Sequence, residues 1–415
     1  MSLLLRALVA LILSEPVDAS TPPAEWPQWR GPDRNGVSRE TGLLKKWPEG
    51  GPRLLWDAKG VGDGFSSVSV SNGRVFTQGN RDEKTFVMAL DLETGKELWS
   101  FENGPAYKNG YGDGPRGTPT VDGNVVYALS GNGDLASIEA PTGKKRWAFS
   151  ILKKFKAEII DWGISESPLI AGQRLLCTPG GPDATIVAID KESGETIWTS
   201  RGLSDSAAYS SPIEIEAGGV AQVVNFTHNG IAAVSLEDGR FLWRYDRVAN
   251  SVANIATPVY HDGAVFASSG YDTGCALIRL EASGEKGIKA EEVYFSRDLQ
   301  NHHGGVVLVG GYIYGFHRDN LLKCLEWKTG KVKWQARSIG KCSLVAADGC
   351  LYLLSQDGIV ALAEATPEAY RELSRFQIEH GTQPAWAHPV VAGGRLFIRT
   401  QDRVRSYRID ARSGP

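Results

Sequence analysis

Two histidines stand side by side at positions 302 and 303 in the segment NHHGG, and a third, His388, stands in AWAHP. Imidazole is the commonest metal ligand and titrates near neutrality, so metal binding is the first chemistry to weigh. Neighbouring side chains in an extended segment point to opposite sides. That predicts that at most one of His302 and His303 faces a shared site, with His388 beside it, and that no metal is held. Asp113 and Arg116 in YGDGPRGTP carry the charges to bind a ligand, or to pair with each other across a turn, which is the commoner fate of such neighbours. Asp161, Trp162 and Glu166 fall in DWGISESP, Tyr209 in AAYSSP, Asn254 in VANIATP, Lys341 in GKCS, Trp386 in AWAHP and Asp63 in GDGFSS. The rings of Trp162, Tyr209 and Trp386 suit stacking on a sugar. Asn254 suits the plainer task of satisfying backbone groups where a strand begins.

No recognised catalytic pattern accompanies these residues. P-loop, G-x-S-x-G, H-E-x-x-H and D-x-D-x-D-G are all absent, and no residue is assigned a catalytic role. A net charge of −3 and a pI near 6.2 exclude a basic face for nucleic acid. The five cysteines do not form a disulfide framework: across the turn Asp348-Gly349 a two-residue loop sets Cys350 opposite Ala347, not Cys342. Isolated buried thiols are expected.

What positions the candidate residues is a repeat. VMALDLETGKELWSF, LASIEAPTGKKRWAF, IVAIDKESGETIWTS, IAAVSLEDGRFLWRY, ALIRLEASGEKGIKA and LLKCLEWKTGKVKWQA align on Gly95, Gly143, Gly194, Gly239, Gly284 and Gly330. Five carry tryptophan at plus four: Trp99, Trp147, Trp198, Trp243 and Trp334. Each phrase reads as a hairpin with glycine at the positive-φ turn position. A second hairpin precedes every phrase, as in SSVSVSNGRVFTQG, so each unit of about 45 residues holds four strands, the arithmetic of a propeller blade. Weaker copies at residues 291–296 and 371–378 place Tyr294 or Phe295, and Phe376, where the tryptophan belongs. The last hairpin lacks a fourth strand, and PRLLWDAKG, with Trp56, precedes the first without strands of its own. Joining residues 52–58 to residues 388–409 completes the ring. The expected fold is all-β: one eight-bladed β-propeller over residues 52–410, its last blade closed by both termini. The candidate residues all lie just before the blades' first strands, which converge on one mouth of the central channel.

Outside the repeat, residues 1–19 read as an export signal, with Arg6, an apolar run and small residues at the cut. Residues 20–51 form an N-terminal arm, of which WPQWRGPDRNG, 26–36, is expected to lie over the outside of the ring, Trp26 and Trp29 covering apolar surface or offered to a partner, and residues 411–415 form a tail. The insert ILKKFKAEIIDWG, 151–163, is expected to make one helical turn at the mouth or a solvated connector. No later segment could span a bilayer.

ALDLETGKELW resembles the tryptophan-docking repeat of the pyrroloquinoline-quinone (PQQ) type propellers, and WPQWRGPDRNGVS before it is similar to exported bacterial members called PQQ-binding-like. That family holds quinoprotein alcohol dehydrogenases and BamB-type outer-membrane assembly scaffolds. The resemblance implies that Trp56 and its five counterparts dock neighbouring blades. It implies for the dehydrogenases an adjacent cysteine pair, calcium held by Glu, Asn and Asp, and an Asp base. This chain has no adjacent cysteines and no C-x-x-C-H haem signature. The expectation is a non-catalytic, exported, periplasmic or envelope binding protein without cofactor. It would be monomeric and meet an envelope protein or another ligand at the mouth. A PQQ- and calcium-dependent alcohol or sugar dehydrogenase is the first alternative, and a carbohydrate-binding propeller the second.

Overall fold

A computed structural model describes residues 25–284 and 286–411, so the expected export segment lies outside the described residues. Eight antiparallel sheets follow one another around a ring. Blade 1 runs from Ser69 to Pro105, blade 2 from Thr120 to Ser150, blade 3 from Leu169 to Thr199 and blade 4 from Ile213 to Tyr245. Blade 5 spans Val259 to Ser296, blade 6 Val306 to Arg337 and blade 7 Cys342 to Gln377. Blade 8 joins three strands between Val390 and Arg408 to the strand Leu54–Lys59, which pairs antiparallel with Arg403–Arg408. Joining the two ends of the chain in one sheet closes the ring.

The core lies between blades. One apolar cluster joins Val87 and Ala89 of blade 1 to Val126 and Ile138 of blade 2; another joins Phe226 and Trp243 of blade 4 to Val265 and Ile278 of blade 5. The repeated phrase explains part of this packing. Gly95 has φ 69°, and a Cβ there would sit 2.6 Å from the Trp56 ring. Backbone sign and steric contact therefore both require glycine. The same contact joins Trp99 to Gly143, Trp147 to Gly194 and Trp198 to Gly239 in successive blades. Each indole also donates to a carbonyl ahead of that turn, Trp56 to Leu92 O and Trp99 to Ala140 O, both at 2.9 Å. Tyr294 takes the tryptophan's place against Gly330. Trp243 differs. The third and fourth strands of blade 5 extend to ten residues each and carry Gly284 away from it, so its N–H turns to Gln222 Oε1 at 2.7 Å.

All five cysteines are buried and unpaired, and Cys350 pairs with Ala347 in the hairpin register.

The arm is not on the outside. Trp26 exchanges backbone hydrogen bonds with Val70 of blade 1, and Pro27 O accepts from Val121 N of blade 2. Arg34 donates to Ser167 O beside blade 3, Trp29 to Thr257 Oγ1 beside blade 5 and Arg30 to Val306 O of blade 6. Val37–Ser38 adds a short parallel strand to the inner edge of blade 7. One segment reaching the inner margins of six blades lies within the ring, so the expectation of an external arm is overturned. The physical reason is that the innermost strands present free N–H and C=O groups to the channel, and a strand-like segment with donor side chains satisfies them.

Candidate functional site

The segments before the blades do converge, and above the arm they enclose a cavity of about 470 Å³. Seven of the thirteen candidate residues line it: Arg116, Trp162, Tyr209, His302, His303, Trp386 and His388. Trp29 and Arg30 of the arm line it too. The turn between the second and third strands of blade 5 adds Tyr271, and Phe65 and Tyr111 come from the segments before blades 1 and 2.

Aromatic rings form most of its wall. Phe65 and Trp386 have centroids 5.2 Å apart, and His303 lies 5.0 Å from Trp386. Trp162 meets Tyr209 at 5.2 Å and Tyr111 edge-on at 6.0 Å. At the floor, Trp29 lies 4.5 Å from His388. Arg116 sits over Phe65 and Tyr107 at 5.3 and 5.2 Å, and its guanidinium donates to Gly112 O and Gly114 O. It is therefore not paired with Asp113, whose carboxylate instead accepts from Asn109 N at 2.8 Å.

His302 and His303 both face the cavity, which corrects the alternation argument. Their segment is bent: Asn301 Nδ2 donates to Gly305 O at 2.9 Å and to Phe316 O at 3.0 Å, so strand alternation does not apply. The two Nδ1 atoms are 2.9 Å apart, His302 Nε2 is 2.8 Å from Tyr271 OH, and His388 Nε2 is 2.9 Å from His303 O. Burial, helped by the Lys341 charge, lowers His302 to about 4 and holds His303 well below the ordinary imidazole value. Burial and the Arg30 charge lower His388 to about 3. Neutral imidazoles hydrogen-bonded to one another and to backbone serve as wall, and among the described residues no cluster of three metal-ligating side chains occurs.

The other candidates lie elsewhere. Glu166 is buried behind the wall, where Oε1 accepts from Thr178 N and Oε2 from Asn225 Nδ2. Burial raises its carboxyl to about 7, against the opposing pull of Arg34. Asn254 is buried and donates to Thr227 O and His228 O, the structural task read from its position. Asp161 contributes its carbonyl, which accepts from Asn109 Nδ2 at 2.9 Å and so fixes the start of the Trp162 turn. Asp63 and Asp113 line a separate polar cleft with Gln383 and Gln401. Lys341 lies behind the wall, with Nζ 5.4 Å from the Trp386 ring centre. The 151–163 insert makes its helical turn at Ile151–Lys154, with Ile151 buried, and ends by placing Trp162 in the wall without filling the cavity.

Among the described residues, no carboxylate side chain lines the cavity. The donors that would hold calcium beside a quinone are therefore not in this cavity's lining, and that lining does not fit a calcium-bound PQQ. Its character is aromatic and cationic.

Known proteins agree with this architecture. The outer membrane protein assembly factor BamB of Moranella endobia (strain PCIT) is 24% identical over 337 residues, which cover 76% of this chain and 70% of that one. The crystal structure of BamB from Moraxella catarrhalis superposes with a TM-score of 0.62 at 15% identity, over 86% of this chain and 100% of that one. A quinohemoprotein alcohol dehydrogenase from Pseudomonas putida gives 0.65 at 12% identity, over 94% of this chain and 81% of that one. Both superpositions speak for the fold alone. Residues 83–336, more than half the chain, match the family model described as outer membrane protein assembly factor BamB, and the chain belongs to that family.

Proposed function

We propose that this is a non-catalytic propeller of the cell envelope, exported to the periplasmic side and acting as a monomeric scaffold that docks a partner protein at the channel mouth. The observation that supports it most is the rim of the cavity. Tyr111 is 70% exposed, Val252 45% and Tyr271 42%, and all three border the same opening. Large apolar side chains left in water singly are ordinary, but a group around a concave aromatic site is what partner-binding surfaces present. The named activity of the relatives in outer membrane assembly points the same way.

The test replaces the rim without touching the core. A Tyr111→Ser, Val252→Ser, Tyr271→Ser variant is expected to keep its thermal unfolding and to retain at least about tenfold less envelope protein in affinity capture, since rim aromatics of this kind contribute about 2 kcal/mol or more each when central. Unchanged capture by a folded variant would refute docking at the mouth.

A further inference from the structure

The outer flank of blade 2 and the insert after it carry a charge pattern that docking at the mouth leaves unexplained. Between Glu139 and Glu158 the sequence holds Lys144, Lys145, Arg146, Lys153, Lys154 and Lys156 and no acidic residue, in a chain of net charge −3. The first three belong to the turn and fourth strand of blade 2, Lys145–Ser150, the outermost strand of its sheet. The other three belong to the helical turn Ile151–Lys154 and the residues just after it. All six are exposed. Two have local tasks: Arg146 pairs with Glu192, and Lys154 Nζ donates to Gly194 O at 2.8 Å while lying over the Phe149 ring. Among the described residues, no carboxylate forms an ion pair with Lys144, Lys145, Lys153 or Lys156. Asp134 feels the Lys153 charge without bonding to it.

These lysines stand on a fixed frame. Ser150 Oγ accepts from Lys153 N at 3.3 Å, Phe155 N donates to Ile151 O at 3.0 Å and Ala157 N to Leu152 O at 2.9 Å. Ile151 is fully buried, and a Cβ at Gly181 of blade 3 would meet Phe155 O at 2.4 Å, so the insert is seated against the neighbouring blade. That seating does not use all its apolar side chains: Ile159 is 49% exposed, and Leu152 and Phe155 are half-buried. Lysines beside exposed apolar groups suit a bilayer interface, where ammonium groups meet lipid phosphates and apolar groups enter the acyl boundary. The spread of the charges agrees. The strand alone is roughly 17 Å long, and the insert continues past its end, so the lysines cannot converge on one small anion. An acidic peptide would answer the lysines but offers nothing to Ile159.

We propose that the flank of blade 2 and the insert after it form a contact surface for a bilayer of anionic phospholipid, Lys144, Lys145, Lys153 and Lys156 meeting headgroup phosphates and Ile159 entering the interface. The ring then meets the bilayer along an outer strand rather than through its channel. This surface shares no residue with the rim of Tyr111, Val252 and Tyr271, and it does not rest on docking there.

The test is flotation of the whole protein with vesicles of phosphatidylcholine and phosphatidylglycerol in equal parts, against vesicles of phosphatidylcholine alone. The protein is expected to float with the anionic vesicles, to be released by high salt and to leave the neutral vesicles unbound. Combining Lys144→Gln, Lys145→Gln, Lys153→Gln and Lys156→Gln should weaken binding at least about tenfold at unchanged thermal unfolding, since each lysine near an anionic surface contributes separately. Ile159→Ser should weaken it severalfold. Combining Lys328→Gln, Lys331→Gln, Lys333→Gln and Arg337→Gln removes the same charge from the exposed edge of blade 6, and should leave binding unchanged. The rim variant Tyr111→Ser, Val252→Ser, Tyr271→Ser should also float as wild type does, so failure of either reading leaves the other standing. The proposal is overturned by absence of flotation with anionic vesicles, by equal flotation with neutral ones, or by equal losses in the two four-residue variants. It is overturned too by a folded flank variant or an Ile159→Ser variant that binds as wild type does. Binding of soluble polyglutamate through the same lysines, without vesicle binding, would overturn it in favour of an acidic protein segment.

Discussion

At the scale of single residues, the molecule separates side chains that build the ring from those that face its mouth. Trp198 is 9% exposed, packs on Gly239 of the next blade and donates to Leu236 O at 3.2 Å. Trp198→Ala removes a buried ring and a hydrogen bond together, and urea unfolding should show a loss of about 3 kcal/mol. The mouth histidines predict a pH dependence. The folded protein keeps His302 and His388 at about 4 and about 3, below the ordinary 6.5, so the unfolded chain binds protons that the folded chain refuses. Their contribution is complete above about pH 6.5 and is lost as pH falls toward 4, by up to about 1.4 kcal/mol per pH unit for each group. Unfolding free energies measured from pH 7 to pH 5 should decline, and His388→Gln should flatten the decline. These roles were unequally legible in the sequence. Trp162, Tyr209 and Trp386 could be picked out because they interrupt polar segments before blades. Phe65 and Tyr111 stand in the same segments, where their charged neighbours carry the stronger local signal. Nothing local marked Tyr271, which reaches the mouth from a turn inside blade 5. The paired orientation of His302 and His303 depends on the bend that Asn301 holds, a contact made with blade 6.

At the scale of elements, the blades were legible and the arm was not. Hairpin turns, alternating strands and a regular glycine spacing are local signals, and each blade reads them independently. The arm's course depends on where eight inner strands leave unpaired groups, which no short window contains. It buries Trp26, Leu43 and Trp47 in the cluster that also holds blades 7, 8 and 1, and its Arg34 donates to Ser167 O and Pro168 O across the channel. Burial of three such side chains stabilises by several kcal/mol. A chain beginning at Arg53 should therefore unfold at a clearly lower temperature than one beginning at Glu25. Equal melting temperatures in calorimetry would show that the arm's contacts contribute little.

At the scale of the whole molecule, closure was legible because the deficit at one end matched the surplus at the other: Leu54–Lys59 supplies the strand that the last hairpin lacks. The same closed ring leaves the mouth as the place where dissimilar residues gather, and the account of function rests on that face being the one a partner meets. Site-specific photocrosslinking from position 111, compared with position 96 on a repeat turn, tests it most directly in living cells. The account predicts discrete adducts with envelope proteins from position 111 and none of those adducts from position 96. No adducts from position 111, or the same adducts from both positions, would contradict it.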